Sequence, residues 1–139
     1  MDVLGFVFPI RPKHADSIFE NKKEVFVKFG RRLRNLRVGA KAIFYVSGEK
    51  ILIGEAVIKS IQPMTPAEAW KKYGPKLFLT REELLEYARM SPLGQERKTK
   101  ILTVYVLENA RKYKKPVILD KRMTLTGYYM TSDEYRSYQ

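Results

Sequence analysis

At 139 residues with a formal charge of +12, the chain is long enough for a single domain, 1–139, because a chain of this size buries about two thirds of the surface its unfolded form exposes. No cysteine is present and His14 is the only histidine, which excludes disulfides, thiolate metal sites and thiol nucleophiles and would leave a zinc site mostly carboxylates, uncommon for that metal, so no metal and no cofactor is expected. So large an excess of cations attracts polyanions, which makes nucleic acid the expected partner.

The first ten residues, MDVLGFVFPI, are apolar but carry no cationic leader, and no stretch approaches the ~20 apolar residues of a membrane span. A cytoplasmic protein is expected, with no membrane association, as a monomer. Few Asn and Gln beside many Lys, Arg and Glu lean toward a thermophile.

In chain order, residues 4–8 form an apolar run stopped by Pro9, which reads as a buried strand. Ala15, Ile18 and Phe19 then fall at helical spacing, predicting a helix that ends near Asn21. From Glu24 to Phe29 the period becomes two, with Val25, Val27 and Phe29 on one face and Glu24, Phe26 and Lys28 on the other. Residues 42–61 give two strands joined by SGEK, a hairpin signal, and Gly54 interrupts the second where a bulge or a close backbone is expected.

Two helices follow. Thr65, Pro66 and Glu68 make a cap, a first helical position and a capping box, with Ala67, Trp70 and Tyr73 facing inward. Thr80 and Glu83 repeat the logic, with Leu84, Leu85 and Ala88 as the apolar stripe. After the turn-rich SPLGQERKTK come a strand over 101–107, a short strand over 117–119, a loop, and a last helical turn near 132–138. Strands and helices alternate too seldom for a doubly wound sheet, so the expected class is α+β: a small mixed β-barrel decorated by about three to four helices.

This order resembles the PUA-like superfamily, particularly its ASCH and EVE branches and an archaeal group related to them. The likeness runs through RPKHADSIFENKKEVFVK, RVGAKAIFYVS, KILIGEAVIKSI, TPAEAW and KPVILD. The ASCH pattern of glycine, lysine, glutamate and arginine falls on Asn21, Lys23, Phe26 and Lys28. Some bacterial ASCH members are amidohydrolases on an acetylated cytidine with a lysine, a threonine and a glutamate. That resemblance places Lys23 on the lysine and Phe26 on the threonine, with Glu68 and Glu83 as candidates for the glutamate; Phe26 has no hydroxyl for nucleophilic chemistry. The resemblance otherwise implies an RNA-binding module that holds RNA or a modified base in a cleft.

The residues point the same way. Over 22–41 the cations Lys22, Lys23, Lys28, Arg31, Arg32, Arg34, Arg37 and Lys41 face Glu24 as the one acid, and arginine forks suit phosphate oxygens bidentately. A second cluster, Arg111, Lys112, Lys114, Lys115, Lys121 and Arg122, is interleaved with Tyr113 and followed by Tyr128 and Tyr129, the mixture that stacks bases while neutralising phosphates. Phe26, beside two lysines, either stacks on a flipped base or packs under the first helix. The nucleic-acid contacts expected are therefore Lys22, Lys23, Phe26, Lys28, Arg31, Arg32, Arg34, Arg37, Lys114 and Lys115. No nucleophile elbow or glycine-rich phosphate loop is present, so no catalytic set is assigned. The expected function is recognition of single-stranded or modified RNA through a basic cleft, the alternative a hydrolase of a modified nucleoside.

Overall fold

A computed structural model describes residues 3–29, 33–46, 48–89, 101–119 and 127–138. Six strands make one sheet: β1 (Val3–Ile10), β2 (Val25–Phe29), β3 (Lys41–Val46), β4 (Ile51–Met64), β5 (Leu102–Ile118) and β6 (Tyr128–Thr131), in the order β2-β5-β4-β3-β1-β6. The helices are α1 (Pro12–Phe19), α2 (Pro66–Tyr73), α3 (Arg81–Arg89) and α4 (Ser132–Ser137), with a 3-10 turn at Gly74–Lys76. Only β1 and β3 pair in parallel, the connection running through α1 and β2.

The α+β class and the four helices agree with the sequence, whereas the expected barrel does not form, because the sheet stays open. Its terminal strands β2 and β6 have only five and four residues. The outer edge of β2 is already taken: Val25 bridges Leu77, and Phe78 N–H donates to Val25 O at 3.0 Å. Closure requires the two edges to pair, and here one edge is occupied by the chain that follows α2.

The sheet nevertheless curls tightly. Phe8 on β1 and Phe26 on β2 have three strands between them in the order, yet their ring centroids lie 4.9 Å apart. Phe6, Phe8, Phe26, Phe44 and Tyr105 fill this inner face under α1 and α2. The outer face carries a smaller cluster, Val7, Ile43, Tyr45, Leu52, Leu119 and Met130, onto which Tyr113, Tyr128, Tyr135 and Tyr138 pack. Both sides of β1 are thus buried, which explains its lack of alternation.

Local signals set the element ends. Both capping boxes are made: Thr65 with Glu68 at 3.0 and 3.2 Å, and Thr80 with Glu83 at 3.0 and 3.1 Å. The inward residue of α2 is Ala69 rather than Ala67, with Trp70 and Tyr73 half-buried against the core, and Leu85 of α3 is exposed. Strand β1 runs through Pro9, whose missing N–H costs nothing because pairing with β6 ends at Val7. The two predicted strands after residue 100 are one strand of 17 residues, β5, passing straight through the basic run.

Gly54 shows both properties expected of it. The pairing of β4 shifts register around it, and an added Cβ would lie 2.6 Å from Arg111 O and 2.5 Å from Phe19 Cζ. The carbonyl belongs to a paired backbone and cannot move aside. Gly54→Ala is therefore expected to lower unfolding free energy by about 2–3 kcal/mol, read as a shifted urea midpoint at unchanged slope; an unaltered midpoint would mean that β4 and β5 part there without cost.

Candidate nucleic-acid interface

The structure distributes the expected contact residues among different places. Arg31, Arg32, Lys121 and Arg122 lie outside the described residues. Arg34 and Arg37 are exposed on the segment entering β3, where Asn35 N–H donates to the Tyr129 hydroxyl at 3.3 Å and ties that segment to β6. Lys23 donates to Pro75 O at 2.6 Å. Lys22 lines a hollow of about 330 Å³ with Lys59, Lys76, Glu24, Glu108 and Tyr73.

Phe26 belongs to the core. It is 5% exposed, with ring centroids 4.8 Å from Phe78, 4.9 Å from Phe8 and 5.6 Å from Phe44. It stands where the resemblance places a threonine, and packing occupies its ring. Lys28 reaches out along the same inner face, its ammonium 5.1 Å from the Phe6 ring and 5.7 Å from that of Phe8, and burial pushes its pKa down. The two glutamates considered for a catalytic role are both engaged in capping boxes.

Glu83 does more than cap α3. Its second oxygen meets Lys13 at 2.5 Å and His14 at 3.3 Å, tying α1 to α3, while the His14 ring stands edge-on to Phe78 at 5.0 Å. Burial alone would raise the Glu83 pKa, but hydrogen bonds from Lys13, Thr80 and His14 outweigh it and hold the carboxyl at about 2 against an ordinary 4.5. A depressed acid stabilises the fold in its ionised form, so its contribution is complete above pH 4.5 and fades as pH falls toward 2. The Tm gap between the protein and Glu83→Gln is expected to be constant near neutrality and to close across that window; a gap independent of pH would show that the charge is irrelevant.

The larger hollow, about 440 Å³, lies on the outer face. Its floor is apolar, with Ile43, Leu52, Val117 and Met130; its rim carries Arg111, Lys112, Lys114 and Lys115; its walls include Tyr113, Tyr135 and Tyr138. Strand β5 brings the cations: alternate residues of an extended strand share a face, so Arg111, Tyr113 and Lys115 stand together on the side of the hollow, while Lys112 and Lys114 point to the opposite face and line the hollow from the strand's edge. Helix α4, capped by Thr131 accepting from Glu134 N–H at 3.2 Å, brings Tyr135. Of the expected contacts, Lys114 and Lys115 line this hollow; Lys22, Lys23, Lys28, Arg34 and Arg37 do not.

Beneath these walls sits Glu55, 2% exposed. One of its oxygens accepts from Tyr135 Oη at 2.6 Å, Tyr113 Oη at 3.0 Å and an Arg111 nitrogen at 3.1 Å; the other accepts from Lys41 Nζ. Burial raises its pKa, but the hydrogen bonds from Lys41, Tyr135 and Tyr113 and the charge of Lys41 more than offset it, so Glu55 stays ionised below the ordinary carboxylate range. The Tyr113 hydroxyl is pushed far up, first by burial and then by that carboxylate. Cations stand over both rings: Arg111 5.5 Å from the centroid of Tyr113, Lys41 5.1 Å from that of Tyr135. Glu55 and Tyr135 went unmarked in the sequence, and Lys41 counted there only as one cation of the 22–41 run; the available hint was a glutamate inside an otherwise apolar strand, ILIGEAVI.

The chain belongs to the family described as domain of unknown function DUF365, whose model matches residues 3–132. It is 37% identical over 101 residues to the uncharacterized protein MJECS03 of Methanocaldococcus jannaschii, a match spanning 68% of this chain and 93% of that one. In fold it is similar to ASCH from Zymomonas mobilis (TM-score 0.77, 20% identity, 96% of this chain and 92% of that chain). It is also similar to the N-terminal domain of McrB from Staphylothermus marinus (TM-score 0.64, 14% identity, 99% and 96%). The ASCH-like fold expected from the order of elements is thus the observed one. Among the described residues no helix is long and apolar enough to cross a membrane, and no three His, Cys, Asp or Glu side chains gather as metal ligands.

Proposed function

We propose that this protein is a nucleic-acid-binding module that, as a monomer, holds single-stranded or modified RNA, with a base in the hollow of the outer face and the backbone along its cationic rim. The observation that carries this reading is the hollow's make-up: four cations and three tyrosines around an apolar floor. Single strands need that combination, because aromatic faces stack any base for ~1–3 kcal/mol each while ammonium and guanidinium groups neutralise the adjacent phosphates. A charge of +12 supplies the long-range attraction, and the fold's likeness to ASCH supports the assignment by analogy alone. Arg34 and Arg37, exposed on the segment entering β3, offer a further cationic surface to a longer strand.

The test is a salt titration with a short oligouridylate. Binding is expected to weaken linearly on a log-log plot with a slope of about −0.7 for each phosphate neutralised, and the protein as purified should carry ribonuclease-sensitive absorbance. Binding that ignores salt, or none at all, would refute the reading.

A further inference from the structure

Resting on the RNA reading above, we infer that Glu55 is the positioning residue of the hollow: a buried carboxylate, out of reach of any ligand, that sets the tyrosine walls against which a base stacks. Glu55 is the one buried acid among the described residues. It lies under a cluster that is otherwise apolar: Val7, Ile43, Leu52, Leu119 and Met130, with Tyr45. On a sheet face of that kind a buried ion network is weak evidence of a role in stability alone, since well-packed apolar side chains often replace the whole of one without loss.

The geometry says what the network does. The hydroxyls of Tyr113, from β5, and Tyr135, from α4, converge on a single oxygen at 3.0 and 2.6 Å. Two rings from separate elements are therefore fixed by their far ends at one point, and their mutual angle is set before anything binds. Glu55 also holds the cations that stand over those rings, Arg111 and Lys41. Walls fixed in advance spare the ordering cost that loose aromatic side chains would incur on binding. Sheet, strand and helix meet at this carboxylate; the lysines of the rim do not touch it.

Stacking and charge can be read separately with two polyanions: an oligouridylate of about ten nucleotides and linear inorganic polyphosphate, which has the charge without the bases. Glu55→Gln, an amide unable to serve four donors, is expected to weaken oligouridylate binding about tenfold with its salt slope unchanged, while polyphosphate binding stays the same or tightens slightly because a negative charge is gone. Glu55→Asp should restore part of the loss. Tyr113→Phe with Tyr135→Phe keeps both rings but removes the hydroxyls, and should weaken oligouridylate about threefold to tenfold; this pair carries the test should Glu55→Gln fail to fold. The inference is overturned if both polyanions weaken together, or if the folded variants bind oligouridylate as the parent protein does. Failure of the parent protein to bind oligouridylate is a different result, and refutes the RNA reading itself.

Discussion

Phe26→Ala is expected to lower the unfolding free energy by about 3–5 kcal/mol, enough to depress Tm by roughly 10–15 °C in a domain of this size. The ring touches Phe8, Phe44, Phe78 and Tyr105 at centroid distances of 4.8 to 6.4 Å, so truncation opens a cavity where the two ends of the curled sheet meet. Partial refilling with Phe26→Leu should recover most of the loss, leaving a deficit of about 1–2 kcal/mol. Neither change should alter oligonucleotide affinity beyond about twofold at temperatures where the variant is folded, because the ring lies on the inner face and the hollow on the outer. A Phe26→Leu protein of normal stability that bound RNA poorly would instead make this ring a stacking platform.

Replacing Lys112, Lys114 and Lys115 together by glutamine is expected to have the opposite profile. All three are exposed on the rim of the hollow, and the ion pair of Lys112 with Glu20, at 3.6 Å between exposed side chains, belongs to a class worth less than about 1 kcal/mol. Stability should hardly move. Oligouridylate affinity should fall about 30–100-fold near 0.1 M salt, and the magnitude of the log-log slope by about 2, as three phosphate contacts are lost. Arg34→Gln with Arg37→Gln should cost less, since neither arginine lines the hollow. The reverse ranking would transfer the main binding surface to the segment before β3.

The pattern of what could be foreseen follows from contact range. Both capping boxes were legible because each joins residues three positions apart, and Gly54 was legible because a glycine inside an apolar strand has few other reasons to be there. The strand through Arg111–Lys115 was not: lysine and arginine have low intrinsic strand preference, and it is pairing with β4 that holds them extended. Nor was the open sheet, since closure depends on whether β2 meets β6 or the chain after α2. Glu55 was hidden most completely, as its partners lie 14, 56, 58 and 80 residues away. Charge density pointed first to the segment around Arg31–Arg37, and the interleaving of Tyr113 with Arg111–Lys115 was legible as a second cluster; only the third dimension adds Tyr135 and Tyr138 to that cluster and sets an apolar floor between them.

That choice of surface is the central claim, and mapping a photo-crosslinked strand tests it most directly. With a thiouridine-substituted oligonucleotide bound and irradiated, peptide sequencing should place adducts on Tyr113, Tyr135 or Tyr138. Adducts confined to the 31–37 segment, or to the hollow of Lys22, Lys59 and Lys76, with none on those tyrosines, would contradict it.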